Sequence, residues 1–244
     1  MMKNLIIFGL FVIALVLVQF AQAQTIDEVI DKYTKAMGGK DKLLALSSVF
    51  MQGVTDMNGN EVTSTSIKEQ DKLFRNEINF GMGSMTTIIT PARGWRSNPR
   101  NGGAFEPMSE DALKAVLYQM DCAGPLFNYS AKGHKAELTG KETLEGNECY
   151  KIKLTTGAGK EIYYWIDGKT WLITQSSQKG GMGGGRGADM ELVTIYRDYK
   201  AVDGIQFAFS TELKSNGGGF GGGVMNYEKI EVNKPVDEKL YKPE

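Results

Sequence analysis

The side chains that carry most enzymatic chemistry are thinly spread in this chain. It has one histidine, His134, held between Gly133 and Lys135 in a turn-like stretch. A serine-histidine-acid relay needs an acid beside the imidazole, and none flanks it. No histidine pair or cysteine cluster has metal-ligand spacing. Carboxylates are plentiful, and a glycosidase works with two of them. Nearly all of these acids, however, sit on polar strand faces or beside lysines, where a solvated charge is the expectation. The chain therefore reads as a non-enzyme that needs no cofactor and no metal.

Two cysteines remain, Cys122 and Cys149. In an oxidising compartment an even pair suggests a disulfide, worth roughly 3 kcal/mol through restriction of the unfolded chain. Two buried thiols acting as small apolar groups are the alternative, and a domain of this size does not need the staple. The glycine-rich stretches 180–185 and 217–223 are not phosphate loops, because no Gly-Lys-Ser/Thr follows and no helix starts after them. They read as flexible hairpin connections. Met182 and Phe220 lie within them, and Met82 and Met85 lie in the similar 81–85 turn. Together these four side chains suit a mobile apolar rim for loosely shaped ligands.

The elements that must position any site begin after a leader. Lys3 precedes an apolar run from Leu5 to Val18, and Ala21-Gln22-Ala23 offers the small-x-small pattern of a signal peptidase site. The run is short against the roughly 20 residues needed to span a bilayer, and no basic stop-transfer cluster follows. Residues 1–23 are thus expected to be a cleaved signal peptide, and 24–244 one exported domain. Charge is nearly balanced, with 28 Lys and Arg against 29 Asp and Glu. That leaves no basic footprint for nucleic acid or for an anionic membrane surface.

Thr25 and Glu28 have capping-box spacing, and Ile26, Val29, Ile30, Tyr33 and Met37 recur at helical spacing up to Gly38-Gly39. A short helix over 40–46 follows. From residue 48 the period changes to two, with strands expected over 48–55, 61–70, 72–80, 84–90, 136–143, 148–156, 160–167, 171–178, 189–200, 205–214 and 224–232. Phe74, Ile78 and Phe80 alternate with Arg75, Glu77 and Asn79; Ile205, Phe207 and Phe209 alternate with Gln206, Ala208 and Ser210. One dry face and one wet face mean an antiparallel sheet. Asn58-Gly59, Asp167-Gly168 and Asp203-Gly204 fall where hairpin turns want positive φ. Residues 91–107 read as a long loop, and a helix capped by Ser109 is expected to reach Met120. The fold class is α+β: a curved antiparallel sheet of about 11 strands, an incomplete barrel covered by two or three helices. A sheet so curved, with so few helices to fill it, tends to leave an aromatic-lined cavity.

Several short segments, in order and spacing, carry a resemblance. They are Asp31-Lys32-Tyr33 through Gly38-Gly39-Lys40, Lys72-Leu73-Phe74-Arg75-Asn76-Glu77, Gly94-Trp95 with Asn98-Pro99, Gly124-Pro125-Leu126, Val202-Asp203-Gly204-Ile205, and Ile230-Glu231-Val232-Asn233 to Pro235. Over residues 26–243 the chain resembles the LolA-like superfamily of outer-membrane lipoprotein-sorting proteins, in particular a Bacteroidetes-type branch. The resemblance implies an incomplete antiparallel barrel closed by helices, with an apolar cavity that shields acyl chains of lipids or lipoproteins in the periplasm. It also implies an inner-membrane transporter or outer-membrane acceptor as partner to a monomeric carrier. Gln70-Asp71 stands where the well-studied carrier has an Arg-Pro whose arginine helps gate the cavity. That gating mechanism does not carry over.

On this reading the cavity is lined by Phe74, Ile78, Phe80, Ile152, Leu154, Phe207 and Phe209 on the dry strand faces. Leu117 and Met120 contribute from the helix, and Trp95 stands near the entrance. The competing reading is an interaction module of the same fold with a filled core, docking on an envelope complex through an exposed strand edge.

Overall fold

The computed structural model describes residues 24–57, 59–180, 190–215 and 223–243. Residues 1–23, where a leader is expected, Asn58 of the Asn58-Gly59 turn, and most of both glycine-rich stretches, with Met182 and Phe220, lie outside the described residues.

Helix α1 (Ile26–Ala36) starts where the capping box predicts. The Glu28 N–H donates to Thr25 Oγ1 at 3.2 Å, and the Thr25 N–H donates to Glu28 Oε2 at 3.1 Å. The helix ends at Gly38, which has φ 128°, and a Cβ there would sit 2.4 Å from the Gly204 carbonyl oxygen. Only glycine permits this approach, and it lets the Gln206 N–H donate to the Met37 carbonyl at 2.9 Å. A second helix, α2 (Lys40–Leu44), leads into the sheet.

Thirteen strands follow in one antiparallel sheet. They are β1 (Ser48–Met57), β2 (Asn60–Glu69), β3 (Leu73–Asn79), β4 (Ser84–Ile89), β5 (Gly94–Ser97), β6 (Phe105–Pro107), β7 (Lys135–Leu144), β8 (Asn147–Thr155), β9 (Glu161–Asp167), β10 (Ile173–Lys179), β11 (Glu191–Val202), β12 (Ile205–Ser215) and β13 (Val224–Val232). Their spatial order is β6-β5-β4-β3-β2-β1-β13-β12-β11-β10-β9-β8-β7, an open, curved sheet. Asp203 (φ 50°) and Gly204 (φ 77°) make the left-handed pair of a tight hairpin turn between β11 and β12.

Two expectations are corrected. Residues 91–107 are not one loop, because β5 and β6 lie within them at the sheet's margin. They are four and three residues long, too short for periodicity to show, and β6 ends on Pro107, which an edge strand tolerates. The helix expected from Ser109 to Met120 is also shorter. Ser109 does cap a helix, α3 (Glu110–Lys114), but a separate 3-10 turn occupies Leu117–Met120. The break points Met120 back at Leu113 and Ile89 while turning Tyr118 and Gln119 toward the centre of the sheet.

The core divides in two. Val29, Ile30 and Tyr33 of α1 pack on Ile152, Leu154, Ile162, Tyr164 and Ile166 of β8 and β9. Each such fully buried apolar side chain is worth about 1.5–3 kcal/mol. Across the sheet, Leu113 and Met120 cover Ile89, with Phe74 and Leu117 alongside. No helix among the described residues is long and apolar enough to cross a membrane.

Candidate functional site: a cavity over the central strands

Between the two packed regions the described residues do not fill the space over the inner face of the central strands. A cavity of about 390 Å³ opens there, walled by α1, the 118–126 segment and strands β1 to β3 and β9 to β13. A second cavity of about 280 Å³ continues along the same face. Thr194, Thr211 and Tyr227 belong to both walls, so the two form one groove. The larger compartment lies in the size range of small-molecule sites.

Register explains what points inward. Lys68 stands opposite Val49 on one side and Phe74 on the other, and all three line the larger cavity. Further along β3 and its neighbours, Ser64, Asn76, Ile78 and Phe80 face the second compartment. On β11 and β12 strict alternation fails. Tyr196 and Thr211 are partners and line the cavity, as do Tyr199 and Ala208, three residues along, and Gln206 and Phe207 border it too. Between the two pairs lies Asp198, whose φ is 54° and whose pairing with Phe209 is missing.

The expected wall residues therefore separate. Phe74 and Phe207 line the larger cavity, and Ile78 and Phe80 the second. Ile152 and Leu154 are fully buried beneath α1. Leu117 and Met120 pack against Ile89 and Leu113. Trp95 is half-buried between Ile88 and Pro107 in the ladder and lines neither compartment. Phe209 lines neither compartment and lies under the Lys200 ammonium at 4.8 Å. Of the apolar rim, Met85 lines the second compartment and Met82 is 97 % exposed at the β3–β4 turn.

The wall also holds groups that pattern reading passed over. Tyr33, Tyr118, Tyr164, Tyr196, Tyr199 and Tyr227 all contribute to it. The Tyr118 hydroxyl donates to Gln178 Oε1 at 3.0 Å, and the Tyr199 hydroxyl to the Ile173 carbonyl at 2.8 Å. The Tyr196 hydroxyl lies 3.0 Å from Ser176 Oγ. Burial pushes Tyr164 and Tyr199 well above the ordinary tyrosine range. For Tyr33, burial and then the Asp121 charge act in the same direction.

Behind the cavity, Asp121 is tied down by Lys132, whose ammonium donates to its carboxylate and to the carbonyls of Gly124 (3.0 Å) and Phe127 (2.6 Å). Burial still raises the Asp121 carboxyl, with Lys132 opposing. Cys122 and Cys149 are separate buried thiols, and burial pushes the Cys122 thiol up to about 12. His134 Nδ1 accepts from the Gly157 N–H at 3.1 Å, which pins a turn away from the cavity. No group of three or more His, Cys, Asp or Glu placed to hold a metal occurs among the described residues. The arrangement is an apolar wall carrying a few fixed polar groups.

No protein-family model matches the chain, and no curated protein matches it. Solved structures do. One is a LolA superfamily protein from Nitrosomonas europaea, at TM-score 0.57 and 10 % identity, covering 91 % of this chain and 99 % of that one. Another is a putative outer membrane lipoprotein-sorting protein domain from Vibrio parahaemolyticus, at TM-score 0.53 and 10 % identity over 89 % and 95 % of the two chains. A DUF1329 family protein from Desulfovibrio piger matches at TM-score 0.53 and 12 % identity, over 90 % and 98 %. At these identities the likeness is one of architecture, and it establishes that this chain has a LolA-like fold.

Proposed function

We propose that the chain is a non-catalytic carrier that holds the acyl chains of a lipid or lipoprotein in the groove over its central strands. The observation that carries this reading is the groove itself, an inner sheet face on which Val49, Met51, Phe74 and Phe207 border a cavity of about 390 Å³. Each CH₂ moved from water into such a wall contributes about 0.8 kcal/mol. The fold is shared with a protein described as lipoprotein-sorting, which agrees with this use. The leader-like residues 1–23 and the acyl cargo together point to work in the periplasm, between a membrane donor and an outer-membrane acceptor.

The test is native mass spectrometry of protein purified from periplasm without detergent, followed by lipid extraction. A co-purifying acyl species is the expected result. A clean apo mass, with no uptake of added lipid, would overturn the carrier reading.

A further inference from the structure

One wall residue is out of keeping with its row. Across five strands the inner positions run Val232, Val49, Lys68, Phe74, Ile89, each directly opposite the next. Val232, Val49 and Ile89 are buried, and Val49, Lys68 and Phe74 face the larger cavity. A lysine in the middle of such a row is costly, because removing an ammonium from water is repaid only by anions or a full set of acceptors.

Among the described residues Lys68 lacks a full set of acceptors and has only a shared carboxylate, Asp121, acting on it. Its ammonium carries three donors, and among the described residues it gives one hydrogen bond, to the Asp121 carbonyl at 3.1 Å. The Asp121 carboxylate, whose charge opposes the effect of burial on Lys68, is engaged by Lys132 and by the Ala123 N–H. The Phe74 ring lies 5.9 Å away, a weak contact for a cation. Burial lowers the Lys68 pKa, the mark of a cation short of compensation.

We infer that Lys68 receives the anionic head, carboxylate or phosphate, of a single-chain acyl amphiphile whose tail lies along the apolar groove toward Ile78 and Phe80. This rests on the carrier reading and narrows it, because the groove then discriminates by head charge as well as by chain. A lysine that merely braced the 121–134 segment through the Asp121 carbonyl would be indifferent to the head group.

The experiment measures affinity of the full exported chain, stripped of lipid, for myristate, myristyl phosphate and methyl myristate. The same set is run on Lys68→Met, which keeps the length and removes the charge. Charge-assisted hydrogen bonds predict that one or both anions bind about ten- to a hundred-fold tighter than the ester. Lys68→Met should lose the preference, binding the anions no tighter than the ester. Which anion is favoured identifies the head chemistry. Equal binding of all three by the wild type, or a preference that survives in Lys68→Met, would overturn the role of Lys68 and leave the carrier reading standing. Binding of none would overturn the carrier reading itself. If Lys68→Met does not fold, the wild-type comparison alone decides.

Discussion

Leu154→Ala and Phe207→Glu separate the packed core from the cavity wall. Leu154 is 0 % exposed beneath α1. Its truncation removes buried methyl groups and leaves a void that surrounding strands close only in part, at a cost of about 2–5 kcal/mol. For a domain of this size each kcal/mol moves Tm by about 2–4 °C, so a fall of about 4–20 °C is expected. Phe207 is only partly buried and faces the open cavity. Phe207→Glu therefore lowers Tm less than Leu154→Ala does: it gives up part of its packing against the core, while the open cavity lets water reach the carboxylate. An entering acyl chain must strip that water, and the unpaired charge then costs about 3 kcal/mol, roughly a hundred-fold in Kd. Circular dichroism melts and displacement of a fluorescent fatty-acid probe read the two effects separately. The reasoning is refuted if Phe207→Glu binds within about three-fold of wild type, or if Leu154→Ala melts with wild type.

Gly38→Ala should cost about 1–3 kcal/mol, seen as a lower urea midpoint at unchanged slope, because the added Cβ meets the Gly204 carbonyl. Lys132→Met strands the Asp121 carboxylate, which is 9 % exposed, and should cost about 3 kcal/mol in the same assay. Alkylation of the denatured, unreduced chain should add two labels for its two free thiols; a mass showing none would mean a disulfide. Tyr33, Tyr164, Tyr196 and Tyr199 have raised pKa values through burial. They keep their protons in the fold while unfolded tyrosines ionise near pH 10, so stability is full below that pH and falls above it. The urea midpoint should drop between about pH 8 and about pH 11, and less so in Tyr164→Phe.

Sequence pattern served well where one rule decided the outcome. The Thr25–Glu28 box located α1, and alternation along β3 put Phe74, Ile78 and Phe80 on one face. It also grouped Ile152 with Leu154, but which inner residues lie under α1 and which border the groove depends on where the helix lands. Phe209 lies on neither cavity wall, beside a break in the ladder where its pairing with the left-handed Asp198 is missing, and no side-chain pattern signals that break. Lys68 was invisible for a different reason. The inner positions of β2 read Val62, Ser64, Ser66, Lys68, a row that looks wet on polarity alone, and only pairing with Val49 and Phe74 shows that it lines the groove.

The strand order has a consequence for how the chain reaches this shape. Each of the stretches β1 to β6 and β7 to β13 is a run of hairpins between neighbours in sequence, and the two meet at one seam, β1 against β13. Hairpins form on local contacts, whereas a pairing such as Val49 with Val232 must wait for distant parts of the chain to meet. The seam is therefore the slow step of folding. It is also irregular, since the register shifts at Gly53, where a Cβ would come within 2.6 Å of the Asn226 carbonyl. The groove lies over this seam, with Val49 and Met51 from one side and Tyr227 from the other. A chain still unfinished at the seam has two sheets with exposed edges and no compartment between them, so the groove exists only after the two halves have joined.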